Sequence, residues 1–323
     1  MTVTTRTSPT ATWVPDTLLP GFESMTMAFP DDYDGPVTAT LVRRPAPAPA
    51  GRAVLYIHGF IDYFFQAHMA DAYNAHGFSF YALDLRKSGR SMLPHQRPYF
   101  SRDLREHFAE IDAAIEIIRA AEGHSRLLLN GHSAGGLLAA IYAVEGARRG
   151  QIDAIFLNSP FFGFNVDPLT QAISPLLAAL GKPLPNLNVG GLSPLYGQSI
   201  HRSGRGAWDF DLRLKPLMGP RPRLGWVRAI YQAQRQVQAG LRIPQPTLLI
   251  HSARSGGGKQ WNDSFTNTDC VLDVAHMRRY GPGLGDKVTL ISVEGAMHDL
   301  VLSAAPVRTR VFDQLFTWTE GNL

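Results

Sequence analysis

The rhythm of apolar and polar positions changes twice along this chain. Phe22–Phe29 and Val37–Arg43 alternate apolar with polar residues, and the Pro-Asp-Asp-Tyr-Asp-Gly between them is rich in turn formers, which predicts a hairpin with one buried face. A Pro-Ala repeat over Pro45–Ala50 then makes a stiff connector. From Ala53 onward the alternation gives way to short, wholly apolar runs. Ala53–Ile57, Phe78–Leu83, Arg126–Asn130, Ile152–Leu157, Thr247–Ile250 and Val288–Val293 read as strands buried on both faces. Between Asp103 and Gly123 the apolar residues Leu104, Phe108, Ile111, Ile115 and Ile118 recur at helical spacing, with Asp103 placed to cap the helix and Gly123 to stop it. Strands alternating with helices predict an α/β fold: a mostly parallel central sheet with helices on both faces, and the hairpin adding antiparallel strands at one edge.

The alternation breaks between Pro160 and Leu241, a stretch rich in Phe, Leu, Pro and Gly with helical pieces at Leu169–Leu180 and Trp226–Ala239. It reads as an inserted cap, or lid, over the C-terminal ends of the strands, where open α/β sheets bind ligands. The expected organisation is a loose N-terminal arm at 1–20, a core formed by 21–159 and 241–323, and the cap at 160–240.

One segment carries a strong chemical signal. In Arg126–Leu137 an apolar strand runs into Gly131-His132-Ser133-Ala134-Gly135 and then into a helix of small residues. A sharp strand-to-helix turn of this kind exposes a serine hydroxyl as nucleophile, and its glycines avoid steric conflict. The base is expected late in the chain. His298 follows the strand Val288–Val293 and a small-residue turn; His251 and His276 are the alternatives. The acid should lie after Thr247–Ile250, where Asp263, Asp269 and Asp273 are available. Asp269 directly precedes an apolar pair, where the chain would rejoin the core, and is preferred; Asp263 comes next, and Asp273 fits a helix N-cap. Two backbone N–H groups complete such a site, that of Ala134 and that of Phe60 in the loop His58-Gly59-Phe60-Ile61-Asp62, with His58 a structural support.

These pieces together resemble the α/β-hydrolases of the monoacylglycerol lipase, lysophospholipase and serine aminopeptidase group, over roughly Ala53 to the C-terminus. The resemblance rests on YIHGF, the loop Asp84–Ser91, NGHSAGG, TDCVLD and EGAMHD. It implies the α/β-hydrolase fold and a Ser133–His298–Asp269 triad working through an acyl-enzyme. The chain departs from the group's pattern in two places. Lys87 stands where D-x-R-G-x-G-x-S has its first glycine, and SGGGKQWNDSFTN separates the acid from its strand.

Composition narrows the classes. With 45% hydrophobic and 18% charged residues the chain can bury a full core. The net charge of +4 comes without any dense basic run, so nucleic-acid binding is not expected. The single Cys270 excludes an internal disulfide and a cysteine metal cluster, and no cofactor or metal is expected. The N-terminus lacks the apolar core of a signal peptide and no run approaches about eighteen apolar residues, so a soluble, cytoplasmic protein is the expectation. Phe161–Gly240 holds nine Lys or Arg against three acids, giving the cap about +6 and leaving the remainder near −2. With Phe161, Phe162, Trp208 and Trp226 as candidate substrate contacts, a basic, greasy cap suits a lipid-like ester, held at a lipid surface. The alternatives are an aminopeptidase or amidase, and an acyltransferase using the same acyl-serine chemistry.

Overall fold

The structure, a computed structural model, describes residues 12–48 and 50–323. The hairpin forms as β2 (Glu23–Asp32) and β3 (Gly35–Arg44), preceded by a short β1 (Val14–Pro15). Residues 1–11 of the expected arm lie outside the described residues. The rest of it is strapped down, not loose: Val14–Pro15 pairs with β2, and the Asp16 carboxylate takes two hydrogen bonds from the Arg90 guanidinium, each 2.8 Å.

The apolar runs become β4 (Arg52–Ile57), β5 (Phe78–Asp84), β6 (Arg126–His132), β7 (Ala154–Asn158), β8 (Thr247–Ser252) and β9 (Val288–Val293). The strand order is β1-β2-β3-β5-β4-β6-β7-β8-β9, antiparallel from β1 to β5 and parallel from β5 to β9. The period-two pleat sends Leu55 and Ile57 into one apolar layer and Val54 and Tyr56 into the other. Helices α1 (Ala67–Ala75) and α8 (Ala305–Asn322) cover the second layer, while α2 (Phe108–Glu116) and α3 (Ala134–Glu145) cover the first. Asp103 starts the α2 region with a capping box shared with Glu106, and Gly123 leaves it at a φ of 76°.

Between β7 and β8 the chain forms α4 (Pro168–Leu180), α5 (Leu195–Ile200) and α6 (Leu224–Ala239). Asp167 caps α4 by accepting from the N–H groups of Leu169 and Thr170, and Pro168 takes the first helical position, where no N–H is needed. Helix α6 sends Trp226, Ile230, Ala233 and Val237 into the first layer. The six-residue α5 has no apolar period long enough to read from sequence. Among the described residues, no helix is long and apolar enough to cross a membrane. Lys87, in the position of the usual glycine, adopts a φ of 61°; its buried ammonium sits 2.8 Å from Asp32 and 2.7 Å from Asp34, so two carboxylates compensate the desolvated charge.

Candidate active site

Strand β6 delivers Ser133 to the C-terminal edge of the sheet, and the turn there is severe. Ser133 has φ 53° and ψ −118°, a conformation costly for any residue with a Cβ. Its surroundings fix it: its N–H donates to Asn158 O at 3.0 Å, and its carbonyl accepts from Leu137 and Phe161. The glycines are required by contact. A Cβ on Gly131 would run into the Gly135 backbone, and one on Gly135 into the carbonyls of Ile57 and His58.

The Ser133 hydroxyl lies 3.0 Å from His298 Nε2, and His298 Nδ1 lies 2.9 Å from Asp269 Oδ2. With Nδ1–H donating to the carboxylate, Nε2 is the free acceptor facing the hydroxyl, the tautomer a general base needs. All three side chains are buried. Asp269 also accepts from the N–H groups of Val271 (3.0 Å) and Leu272 (2.8 Å), which hold its carboxylate in place. The long excursion after β8 folds back: Asp269 N donates to Arg254 O and Gly256 N to Asp269 O, so residues 257–268 bulge outward and the acid returns to the strand end. Asp263 is exposed on that bulge, and Asp273 caps α7 (Val274–Tyr280) through the Ala275 N–H. The other candidate histidines stand apart. His251 Nδ1 is bonded to Ser252 O at 2.6 Å, and His276 stacks on Tyr280. Neighbouring Cys270 is held as a neutral thiol, its pKa pushed up to about 12 by burial and then by the Asp269 charge.

Phe60 and Ala134 border one cleft, whose walls include Ile61, Tyr99, Leu138 and Trp226. Gly59 brings the loop close, since a Cβ there would sit 3.2 Å from the Ser133 Cβ. His58 is spent on structure, with Nε2 accepting from Leu85 N at 3.1 Å and Nδ1 donating to Gly59 O at 2.8 Å. Among the aromatic residues expected to touch substrate, Trp226 lines the cleft and stacks on Phe60 at 3.9 Å, with Phe161 packed behind it. Phe162 does not reach the cleft; it is wholly buried in the first apolar layer. Trp208 is turned away too, stacked on His68 and donating to Leu302 O at 2.8 Å.

Sequence reading missed the support beneath His298. The adjoining Asp299 is fully buried and accepts from Asn158 Nδ2 at 2.8 Å and Gln66 Nε2 at 3.1 Å, mooring the histidine's backbone to β7 and to the loop before α1. Burial alone would raise the Asp299 pKa; His132, the two amides and Lys215 outweigh it and hold the carboxyl below its usual range. Burial also lowers the pKa of His132, whose ring lies 4.9 Å from that of His298, so near neutrality the amides and Lys215 sustain the anion.

The hydrolase family described as serine aminopeptidase, S33, matches residues 48–256, a span that includes the Phe60 loop and Ser133. The chain belongs to the serine aminopeptidase S33 family. It is a serine hydrolase. The S33 match ends before Asp269 and His298, which are reached here through the fold. Similar solved structures include a soluble variant of monoglyceride lipase from Saccharomyces cerevisiae with a substrate analogue, 18% identical, with a TM-score of 0.67 over 92% of this chain and 94% of that one. A monoacylglycerol lipase from Paleococcus ferrophilus is 21% identical, with a TM-score of 0.66 over 88% of this chain and 99% of that one. A thermostable carboxyl esterase from Bacillus coagulans is 14% identical, with a TM-score of 0.61 over 93% and 98%. These likenesses establish the α/β-hydrolase fold. No curated protein matches the sequence significantly.

Proposed function

We propose that this serine hydrolase cleaves a lipid-like carboxylic ester, such as a monoacylglycerol or lysophospholipid, through an acyl-enzyme on Ser133. The observation that carries the reading is the continuous hydrogen-bonded chain from Ser133 through His298 to Asp269 at the strained turn. In this mechanism Ser133 Oγ attacks the ester carbonyl and His298 Nε2 takes its proton. The N–H groups of Phe60 and Ala134 stabilise the oxyanion, and the imidazolium, held by Asp269, protonates the leaving alcohol. Water activated by the same histidine then frees the acid and restores Ser133.

Two features support a lipid-like ester. Helix α4 bears no charged residue and turns Leu169, Ile173, Leu176 and Leu180 to solvent, at 73, 42, 61 and 37% exposure. That is an apolar stripe with helical period on the outside of the insertion, beside the exposed Lys182. The aminopeptidase reading lacks a free carboxylate in the insertion to hold a substrate amine: Asp167 caps α4, Asp209 pairs with Arg202, and Asp211 pairs with Arg213. The test is a series of p-nitrophenyl esters of increasing chain length run beside an aminoacyl anilide. Turnover of the esters with negligible anilide cleavage is expected; the opposite preference contradicts the proposal.

A further inference from the structure

We propose that Lys215, in the insertion, is a positioning residue for this hydrolysis: its buried ion pair with Asp62 holds the loop that presents the Phe60 N–H to the reacting carbonyl. The inference rests on the ester-hydrolase reading and extends it to a part of the molecule outside the triad. Lys215 Nζ lies 2.6 Å from Asp62 Oδ1, and both side chains are nearly shut off from water. Asp62 stands two residues after Phe60 and also accepts from the N–H of Tyr63 at 2.9 Å, so its carboxylate is tied into the loop's own backbone. The rings of Phe65 and Phe210 also lie near Lys215, 5.5 and 5.7 Å from its ammonium. A desolvated ammonium in such surroundings is held in place by its hydrogen-bonded carboxylate partner.

The loop needs holding. Ile61, between Phe60 and Asp62, has a φ of 53°, a conformation that a β-branched residue adopts only under external constraint. The constraints come from one segment of the insertion. Gly219 packs so tightly on Ile61 that a Cβ there would collide with its side chain. The Asp211 N–H donates to the Tyr63 hydroxyl at 2.9 Å, and the Tyr99 hydroxyl donates to Leu214 O at 2.9 Å. Residues 211–219 therefore grip the loop at Ile61, Asp62 and Tyr63, with Lys215 the one charged contact, and this segment works as the outer wall of the oxyanion site. An oxyanion donor acts on charge that develops in the transition state, so displacing it lowers kcat and leaves substrate binding intact.

The experiment compares Lys215→Met, Asp62→Asn, the double variant and Lys215→Arg, with kcat and KM measured on a soluble short-chain p-nitrophenyl ester and Tm on each protein. The double variant removes both charges of the pair at once, so neither Lys215 nor Asp62 is left without its partner. We expect kcat to fall about 10- to 100-fold in both single variants and in the double, with KM within about twofold and Lys215→Arg recovering most of the loss. Full kcat in the double variant overturns the inference, because the single losses then reflect an unpaired charge. Losses that merely follow Tm overturn it as well. A wild-type protein without ester turnover would instead remove the parent reading.

Discussion

At Ser133 the backbone carries strain so that the hydroxyl can stand clear of the turn, and this separates the side chain's chemical role from its structural cost. Glycine accepts a φ of 53° where alanine does not, so Ser133→Gly should be about 1 kcal/mol more stable than Ser133→Ala by thermal melting, with both inactive. The three candidate acids separate in the same way. Asp269→Asn should lose roughly 10³–10⁴ in kcat, whereas Asp263→Asn, on an exposed bulge, should turn over normally. Asp273→Ala should cost about 1 kcal/mol of stability through the lost α7 cap, with chemistry retained. Ser133 and His298 were legible because each follows an apolar strand in a short small-residue turn, and Asp269 because it directly precedes the apolar pair where the long excursion after β8 rejoins the core. Asp299 was not: its partners Asn158 and Gln66 lie 141 and 233 positions away, and nothing local marks a carboxylate for burial. Its folded pKa is depressed below the ordinary 3.8, so its contribution to stability is present above about pH 4 and is lost as pH falls through the folded value. Asp299→Asn should therefore flatten the acid side of the Tm–pH curve; an unchanged curve would mean that the carboxylate is not anionic in the fold.

Among the elements, α4 has the most to say about substrate. Its helical spacing was readable in Leu169–Leu180, but periodicity cannot tell whether a stripe meets a core or the outside, and here it faces out. The same limit explains Phe162 and Trp208: an aromatic residue in an insertion is as apolar in a core as on a cleft wall, and tertiary packing sent these two inward. If the stripe meets lipid, Leu169→Ser with Leu176→Ser should weaken sedimentation with anionic phospholipid vesicles by at least about tenfold, given the transfer free energy of two leucines. Hydrolysis of a short soluble ester should not change. Equal vesicle binding by both proteins would assign the stripe another partner.

Over the whole molecule, the parallel sheet does the assembling: the ends of β6, β8 and β9 all open on one edge, which brings residues 133, 269 and 298 within hydrogen-bond reach. That architecture was legible from the order of strands and helices. The grip of residues 211–219 on the loop after β4 was not, because it depends on how the insertion sits over the sheet. Charge is also distributed at this scale. The insertion's excess of basic residues includes the exposed Arg221, so kcat/KM for an anionic long-chain ester should fall as salt shortens the Debye length below about 10 Å, and Arg221→Glu should reduce that dependence. A neutral short ester should respond little. The measurement that bears most directly on the central claim is intact-mass and peptide mapping of the protein quenched during turnover of an activated ester. The account predicts one added acyl group, on the peptide containing Ser133, and none in Ser133→Ala. Steady turnover with the acyl group on Cys270 or another residue, or with Ser133→Ala acylated equally, would contradict it.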